Sequence, residues 1–266
     1  MPNFQTDEIL EYRWSYRCLA AVLLSGQVVL RLLKGKLSSR NLLEQMATVG
    51  LGALNPVLMI ALFSAMIFTI QTARQLSQFG AVNFLGGAFS LAFCRELAPV
   101  LTASIIAGQV GSAYAAELGA MQVTEQIDAL YMLRSNPIDY LVIPRVVACC
   151  LMLPILTVLA LVVGIAGGSF VGVILYHLPS PVFLDSVRES LAVQDLVNAL
   201  LKSFIFGAII AIIGCSWGLT TRGGVKGIGR AATASVVTTW ICIFIVDFFI
   251  SLAIFGNVTI NLTSSP

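Results

Sequence analysis

Long runs of apolar residues, separated by short polar segments, dominate the pattern of this chain. A membrane-spanning helix needs about 20 mostly apolar residues, and five runs reach that length. The pattern predicts spanning helices at residues 52–72, 84–116, 146–176, 203–221 and 231–256. The apolar run 146–184 has no charged residue in its middle, which favours one long helix over two. Residues 81–94 fit either the start of the second span or a re-entrant segment.

A shorter apolar run, Cys18–Leu30, precedes these spans and has basic residues on both sides. Its thirteen residues are too few to cross a bilayer, so we predict a helix that lies in the membrane interface. A cleaved signal peptide is the alternative, and the lack of an A-x-A-like site after the run disfavours it. The predicted organisation is an interfacial region at 1–44, a membrane domain at 45–256 and a short tail at 257–266.

Composition agrees with a membrane protein and excludes several other classes. Apolar residues make up 58% of the chain and charged residues 11%, against about 25% charged in ordinary soluble domains. The net charge of +2 without a basic tract argues against a nucleic-acid partner. The six cysteines have no metal-ligand spacing, and the single histidine, His177, cannot build a metal site or a catalytic triad alone. We predict no cofactor, no metal and no catalytic residue. The chain also lacks the GxxxxGK[ST] loop that binds nucleotide phosphates.

Basic residues predict the orientation, because cytoplasmic loops are rich in Lys and Arg. Arg222, Lys226 and Arg230 form the most basic short loop, and a second basic group, from residue 31 to residue 40, precedes the first span. Five spans with a cytoplasmic N-terminus put both groups in the cytoplasm. The polar segment 117–145 then also faces the cytoplasm, while 74–96, 185–202 and the C-terminus face outward.

The segment 117–145 is the most polar internal stretch, and it does not follow the basic bias. Its charged residues are Glu117, Glu125, Asp128, Arg134, Asp139 and Arg145. A cytoplasmic loop without excess positive charge suggests a surface that docks to a partner protein. An ordinary solvated connector is the alternative.

Helical periodicity appears within this segment. Val123, Ile127, Leu130 and Tyr131 recur at helical spacing, with acidic residues on the other side. Pro137 disfavours helix at the residue before it, so this short amphipathic helix should end near Asn136. We expect Pro137 to open a second short helix, with Asp139 in its first turn, before a turn into the third span.

Four charged residues lie in or beside the predicted spans, where charges are costly and usually paired or functional. The predicted orientation places Arg95, Glu96, Lys202 and Asp247 at a similar depth near the outer side. We predict an ion pair between Lys202 and at least one of the two acids. Arg95 is the candidate to meet an anionic headgroup, because a guanidinium suits bidentate phosphate contact. Snorkelling of these charges to water is the alternative. Separately, glycines repeat every four residues in the third and fourth spans, which predicts close helix packing.

The string EQIDAL at 125–130, followed by NPIDYL at 136–141 and PR at 144–145, resembles the signature of MlaE-family permeases, the membrane subunits of lipid-transporting ABC transporters. The resemblance extends over residues 40–256, and the sequence is most similar in its motifs to the cyanobacterial and chloroplast-envelope branch of the family. It implies a homodimer that works with a separate cytoplasmic ATPase and an MCE-domain lipid-binding partner, with membrane lipids as the substrate. The implied location is a bacterial inner membrane. The alternative is a plastid-encoded protein of the chloroplast inner envelope.

The resemblance also implies roles for particular residues. The family carries charges near the lipid pathway at the positions of Arg95, Glu96, Lys202 and Asp247. It places a coupling helix that docks on the ATPase within 122–137. The implied coupling residues are Glu125, Gln126, Asp128, Ala129, Leu130, Met132, Asn136 and Pro137.

Two other functions compete with a non-enzymatic permease. An ion-coupled secondary transporter could use Glu96 and Asp247 as proton sites, but it predicts internal repeats that the sequence does not show convincingly. A membrane acyltransferase would need a catalytic histidine or an acid/base pair at the membrane surface, and only His177 is available.

Overall fold

A computed structural model describes the backbone of residues 4–32, 39–133 and 136–262, and the side chains within 17–31, 41–133 and 136–254. The regular structure of these residues is helical throughout, so the predicted all-α fold is confirmed. The α-helices of the described residues are α1 (Phe4–Leu32), α2 (Ser39–Gln78), α3 (Leu85–Ala92), α4 (Ala98–Ile106), α5 (Ser112–Val123), α6 (Gln126–Met132), α7 (Ile143–Tyr176), α8 (Ser180–Ser190), α9 (Val193–Leu219) and α10 (Gly224–Leu262). Lys34, Lys36 and residues 263–266 of the tail lie outside the described residues.

Five helical stretches of the described residues are long and apolar enough to cross a membrane, which confirms the predicted number. They are Asn41–Gln78, Val82–Val123, Ile138–Tyr176, Val193–Leu219 and Gly224–Ile254. The second stretch begins at Val82, so residues 82–94 open this span. The third is a single helix up to Tyr176, as the absence of a charged turn predicted.

The second stretch is not a uniform α-helix. A 3₁₀ turn at Val82–Phe84 precedes α3, and π-helical turns at Phe93–Leu97 and Ala107–Gly111 separate α3, α4 and α5. A π turn holds one extra residue per turn and is frequent at functional sites. The first of these turns carries two of the predicted site residues, Arg95 and Glu96.

The last two spans begin earlier than the sequence predicted. α9 begins at Val193 rather than at 203, and α10 begins at Gly224 rather than at 231. Lys202 therefore lies inside the fourth span and not at its mouth, because ion pairs compensate its charge there. Lys226 and Arg230 belong to the exposed first turns of α10 and not to the loop.

Two helices differ from the pattern expected outside the spans. α1 is one continuous helix over Phe4–Leu32, longer than the thirteen apolar residues from which it was predicted. α8 forms within a segment expected to be an outward loop, and it is amphipathic, with Phe183 and Val187 buried. A Cβ at Gly86 of α3 would meet the backbone carbonyl of Phe183, so α3 and α8 pack closely.

The chain divides into two compact units. The first contains Met1–Ala47, Ala107–Cys149 and Ala208–Ile241, and the second contains Thr48–Ile106, Cys150–Gly207 and Cys242–Pro266. In the first unit, Gly218 of α9 lies against α5, and a Cβ there would stand 2.6 Å from the Leu118 Cβ. In the second unit, a Cβ at Gly168 of α7 would stand 2.7 Å from the ring of Phe89. The predicted role of the repeated glycines in close packing is confirmed.

Candidate functional site

Lys202 is the centre of a polar network in the second unit. Its side chain is 1% exposed, and its Nζ donates to the Glu96 Oε2 at 2.8 Å, the Ser251 Oγ at 2.7 Å and the Arg95 carbonyl oxygen at 3.1 Å. An ammonium group has three hydrogens, so these bonds use all of its donors. The Asp247 Oδ1 lies 2.8 Å from the same nitrogen and contributes a fourth contact, between opposite charges.

Ser251 closes the network from the last span. Its hydroxyl donates to the Glu96 Oε1 at 2.9 Å while it accepts from Lys202. Ser251 follows Asp247 by one helical turn, so both groups lie on the same face of α10. Three helical stretches therefore meet at one lysine.

Arg95 forms a second ion pair beside the first. Its Nε lies 2.7 Å from the Asp195 Oδ1, and the Asp195 side chain is only 5% exposed. The other oxygen, Oδ2, accepts from the backbone N–H of Ala192 at 3.1 Å, and the Asp195 N–H donates to the Ala192 carbonyl at 3.0 Å. The Asp195 side chain therefore supplies one half of a capping box at the start of α9, because Ala192 has no side-chain oxygen to complete it. Asp195 thus caps a helix with one oxygen and binds a guanidinium with the other.

Arg95 and Glu96 are neighbours in the π turn at Phe93–Leu97, and they contact different residues of α9. Asp195 and Lys202 are seven residues apart, two helical turns, so they lie on the same face of α9. Asp195 contacts the Arg95 side chain, while Lys202 contacts the Arg95 carbonyl and the Glu96 carboxylate.

The structure brings together all four charged residues predicted from the sequence, with one change of partner. Lys202 lies against both predicted acids. Arg95 was expected to bind an anionic headgroup, but its Nε forms an ion pair with Asp195. The prediction left Asp195 out because it assigned residues 185–202 to a loop. Ser251 was also missed. Heptad spacing from Lys202 and the i, i+4 spacing from Asp247 were the signals that could have identified these two residues.

The polar segment between the second and third spans contains the short helix α6, which begins after a sharp turn. Glu125 has φ 58°, in the left-handed region, and this conformation separates α5 from α6. Val123 therefore ends α5 and does not belong to α6, contrary to the predicted single amphipathic helix. Ile127 is buried at 4% exposure, and Tyr131 is exposed, so Tyr131 does not share the buried face.

The remaining predicted coupling residues form much of the surface of this segment. Glu125, Gln126, Asp128 and Ala129 are exposed, Leu130 and Asn136 are half-buried and Pro137 is buried. Met132 is 87% exposed and is followed by an exposed leucine, Leu133. Large apolar side chains next to exposed carboxylates are typical of a protein-docking surface.

The sequence predicted that Pro137 opens a separate short helix, and this prediction is wrong. A π turn at Ile138–Val142 follows it and continues directly into α7. The Asn136 Oδ1 accepts from the Ile138 N–H at 3.1 Å and so caps this helix. The proline ring fits the first turn of a helix, where no backbone donor is needed, so the third span itself begins here.

Ion pairs in the first unit hold both ends of the α6 segment. Arg145 Nη2 donates to the Glu117 Oε2 at 2.8 Å, and its guanidinium lies 4.9 Å from the Tyr114 ring centroid. Arg31 of α1 donates to the Asp139 Oδ2 at 2.7 Å. These contacts fix α6 between two anchored helix ends.

An apolar groove lies along the third span in the second unit. A cavity of about 340 Å³ is lined by Cys94, by α7 and by the start of α9. The α7 residues of its lining are Val158, Leu161, Val162 and Ile165, and the α9 side contributes Leu191, Ala192, Val193 and Leu196. No charged side chain lines it, so it suits a hydrocarbon occupant.

No group of three or more His, Cys, Asp or Glu residues is placed to hold a metal ion within the described part of the chain. None of the six cysteines, all of which lie within the described residues, forms a disulfide bond.

Five helical stretches of the described residues are long and apolar enough to cross a membrane, and the second unit holds a network of charged side chains, so the protein is a multi-pass membrane protein. The profile of the MlaE permease family matches residues 42–253. The chain belongs to this family.

Curated relatives agree with this assignment. A probable ABC transporter permease protein of Synechocystis sp. is 55% identical over 242 residues, which cover 91% of this chain and 92% of the relative. The chloroplastic protein TRIGALACTOSYLDIACYLGLYCEROL 1 of Arabidopsis thaliana is 45% identical, over 93% of this chain and 72% of its own length. A probable ABC transporter permease protein of Pyropia yezoensis is 46% identical, over 91% and 92%.

Proposed function

We propose that this chain is the non-catalytic membrane subunit of an ABC transporter that moves lipids, including phospholipids, between membranes. In this proposal two copies form a homodimer, a separate cytoplasmic ATPase supplies the energy and an MCE-domain protein passes the lipid on. The domain at 45–256 is the permease unit, and the membrane is a bacterial inner membrane of cyanobacterial type. Membership of the MlaE permease family over residues 42–253 is the observation that carries the proposal.

The exposed surface of α6 supports a separate ATPase. It presents Met132 beside Glu125 and Asp128, between two anchored helix ends, in a chain without a nucleotide-binding loop of its own. A helix fixed at both ends can transmit a movement of a docked partner to the membrane spans. Coupling is therefore assigned to Glu125, Gln126, Asp128, Ala129, Leu130, Met132, Asn136 and Pro137.

The interior of the second unit supports a lipid as the cargo. The apolar groove along α7 suits acyl chains, and the network of Arg95, Glu96, Lys202 and Asp247 supplies fixed charges within a span. Charges at this depth are functional more often than not. The Arabidopsis relative is named after a galactolipid, trigalactosyldiacylglycerol, and this name also favours a lipid as the cargo.

Charge reversal on α6 tests the coupling. Glu125→Lys with Asp128→Lys should weaken ATPase binding, because mismatched charges at an interface can cost several kcal/mol. The matched control is reversal of Asp185 and Glu189, two exposed acids on α8. Loss of ATPase co-purification with the α6 variant but not with the control supports docking at α6. Equal co-purification of both variants contradicts it.

Reconstitution separates the proposed transporter from the ion-coupled alternative. The permease, purified with its ATPase and placed in proteoliposomes, should move labelled lipid to an acceptor only when ATP is present. Lipid transfer driven by a proton gradient, without ATP and without the ATPase, would instead assign the function to Glu96 and Asp247 as proton sites.

A further inference from the structure

We infer that the Glu117–Arg145 ion pair is the contact through which a movement of α6 reaches the second and third spans together, with Arg145 as a positioning residue for transport. This inference rests on the proposed function and adds to it the residue that transmits the movement of the ATPase into the membrane. It follows from the place of Arg145 in the fold, from its burial and from an N–H group that its partners leave unused.

The ion pair connects two spans across the base of the α6 segment. Glu117 belongs to α5 in the second span, and Arg145 belongs to α7 in the third, 28 residues later. The left-handed Glu125 separates α5 from α6, so no continuous helix carries a movement of α6 back to α5. A side-chain contact is therefore needed if the two spans are to move as one body.

Arg145 holds α5 through more than this one acid. Its guanidinium lies 4.9 Å from the Tyr114 ring centroid, and Tyr114 precedes Glu117 by one turn of α5. The Tyr114 hydroxyl in turn accepts from the thiol of Cys149 at 3.9 Å, one turn of α7 after Arg145. Two successive turns of α5 are thus held against two successive turns of α7.

Burial makes this contact stronger than the ion pair at the other end of the segment. The Arg145 side chain is 7% exposed, whereas those of Arg31 and Asp139 are 31% and 41% exposed. Exposed ion pairs contribute little, because water and salt screen them. The Arg31–Asp139 pair also attaches α1, which is not among the five spanning stretches of the described residues, so it does not link two spans.

One nitrogen of Arg145 has no hydrogen-bond acceptor among the described residues. This nitrogen, Nη1, is buried, and the guanidinium neighbours the Cys215 thiol of α9, which is only a weak acceptor. A buried donor without an acceptor costs free energy, so this arrangement is not the most favourable one for the guanidinium. A shift of α5 and α7 relative to α9 that offers Nη1 an oxygen acceptor would recover that energy, which suits the pair to a change of state.

The test measures the lipid transferred per ATP hydrolysed by the permease, reconstituted with its ATPase in proteoliposomes. The probe is a mixture of labelled phosphatidylethanolamine, phosphatidylglycerol and phosphatidic acid. Arg145→Met removes the buried charge and leaves Glu117, whose side chain is 54% exposed, in contact with water. We expect the ratio to fall about tenfold, a loss typical of coupling between two sites, while the ATPase still co-purifies.

Further variants show whether the pair, rather than either residue alone, is responsible. Glu117→Gln keeps an oxygen that can accept from Arg145, so it should lower the ratio less than Arg145→Met does. Adding Glu117→Ala to Arg145→Met should cause no further loss, because the contact is already absent. Arg31→Met is the matched control at the other end and should change the ratio by less than about twofold. That end stays in place without Arg31, because the helical turn of Asp139 continues into α7.

The outcomes separate the inference from the proposed function. An unchanged ratio for Arg145→Met overturns the inference, as does an equal fall for Arg31→Met or a further fall in the double variant. Loss of the ATPase from the Arg145→Met complex also overturns it, because the residue would then serve docking. If Arg145→Met does not fold, Glu117→Gln decides: a ratio equal to that of Arg31→Met overturns the inference, and a lower ratio supports it. Absence of ATP-driven transfer by the parent complex contradicts the proposed function itself.

Discussion

Replacing Lys202 by Met removes the positive charge at the centre of the network while keeping a long apolar side chain. The substitution leaves the carboxylates of Glu96 and Asp247, each 2.8 Å from the lysine nitrogen in the parent protein, facing each other without a cation. Removal of one partner of a buried ion pair typically costs about 3–5 kcal/mol. Because the lysine is buried, we expect the free energy of unfolding to fall by that amount.

The two acids should not contribute equally to this loss. The Glu96 side chain is 42% exposed and the Asp247 side chain is 14% exposed, so the loss of the cation should cost more at Asp247. Adding Asp247→Asn to Lys202→Met should therefore recover about 1–3 kcal/mol. Adding Glu96→Gln instead should recover less.

Denaturant titration in mixed micelles, followed by tryptophan fluorescence, measures these free energies. Lys226→Met, at an exposed lysine of the first turn of α10, is the matched control and should change stability by less than about 0.5 kcal/mol. The reasoning would be refuted by a Lys202→Met protein within about 1 kcal/mol of the parent, or by a double variant no more stable than the single one.

Three further outcomes are expected. Ser251→Ala should cost about 1.5–3 kcal/mol of unfolding free energy, because hydrogen bonds to two charged groups are lost, and Ser251→Thr should restore most of it. Gly218→Ala should destabilise by about 1–3 kcal/mol through overpacking, whereas Gly229→Ala, with nothing within 4 Å, should stabilise slightly in the same titration. In a maleimide-labelling scan of α1, cysteine at exposed Leu23 should react and cysteine at buried Leu24 should not; labelling of the two ends of α1 from opposite membrane faces would contradict an interfacial helix.

The number of spans was predictable because it depends on length and apolar content alone, and tertiary contacts do not alter either. The starts of the spans were less predictable. Lys202 and Arg230 were treated as boundaries, since a charge usually marks the end of an apolar segment. In the structure the charge of Lys202 is neutralised by carboxylates from other helices, and Arg230 is an exposed residue within α10.

The sequence was sufficient to predict four of the charged residues of the site, but not which of them form ion pairs. The cost of placing a charge in a membrane identifies Arg95 and Lys202 in the sequence, but the choice of partner depends on how helices distant in the chain approach. Asp195 was assigned to a loop, although it is the acid that compensates Arg95. The left-handed Glu125 could not have been predicted either, because a non-glycine residue adopts that conformation only when its surroundings hold it there.

The network also constrains how the chain can be assembled. An aspartate at the centre of a spanning helix costs about 2.5–3.5 kcal/mol at insertion. The second and fourth spans leave the ribosome before the fifth, so Glu96 and Lys202 can already be in contact when Asp247 is synthesised. The last helix then enters the bilayer beside a cation held in place, which lowers the cost of its acid. Late insertion of α10 thus depends on the correct docking of helices made earlier, and a misplaced fourth span would leave the fifth without the counterion it requires.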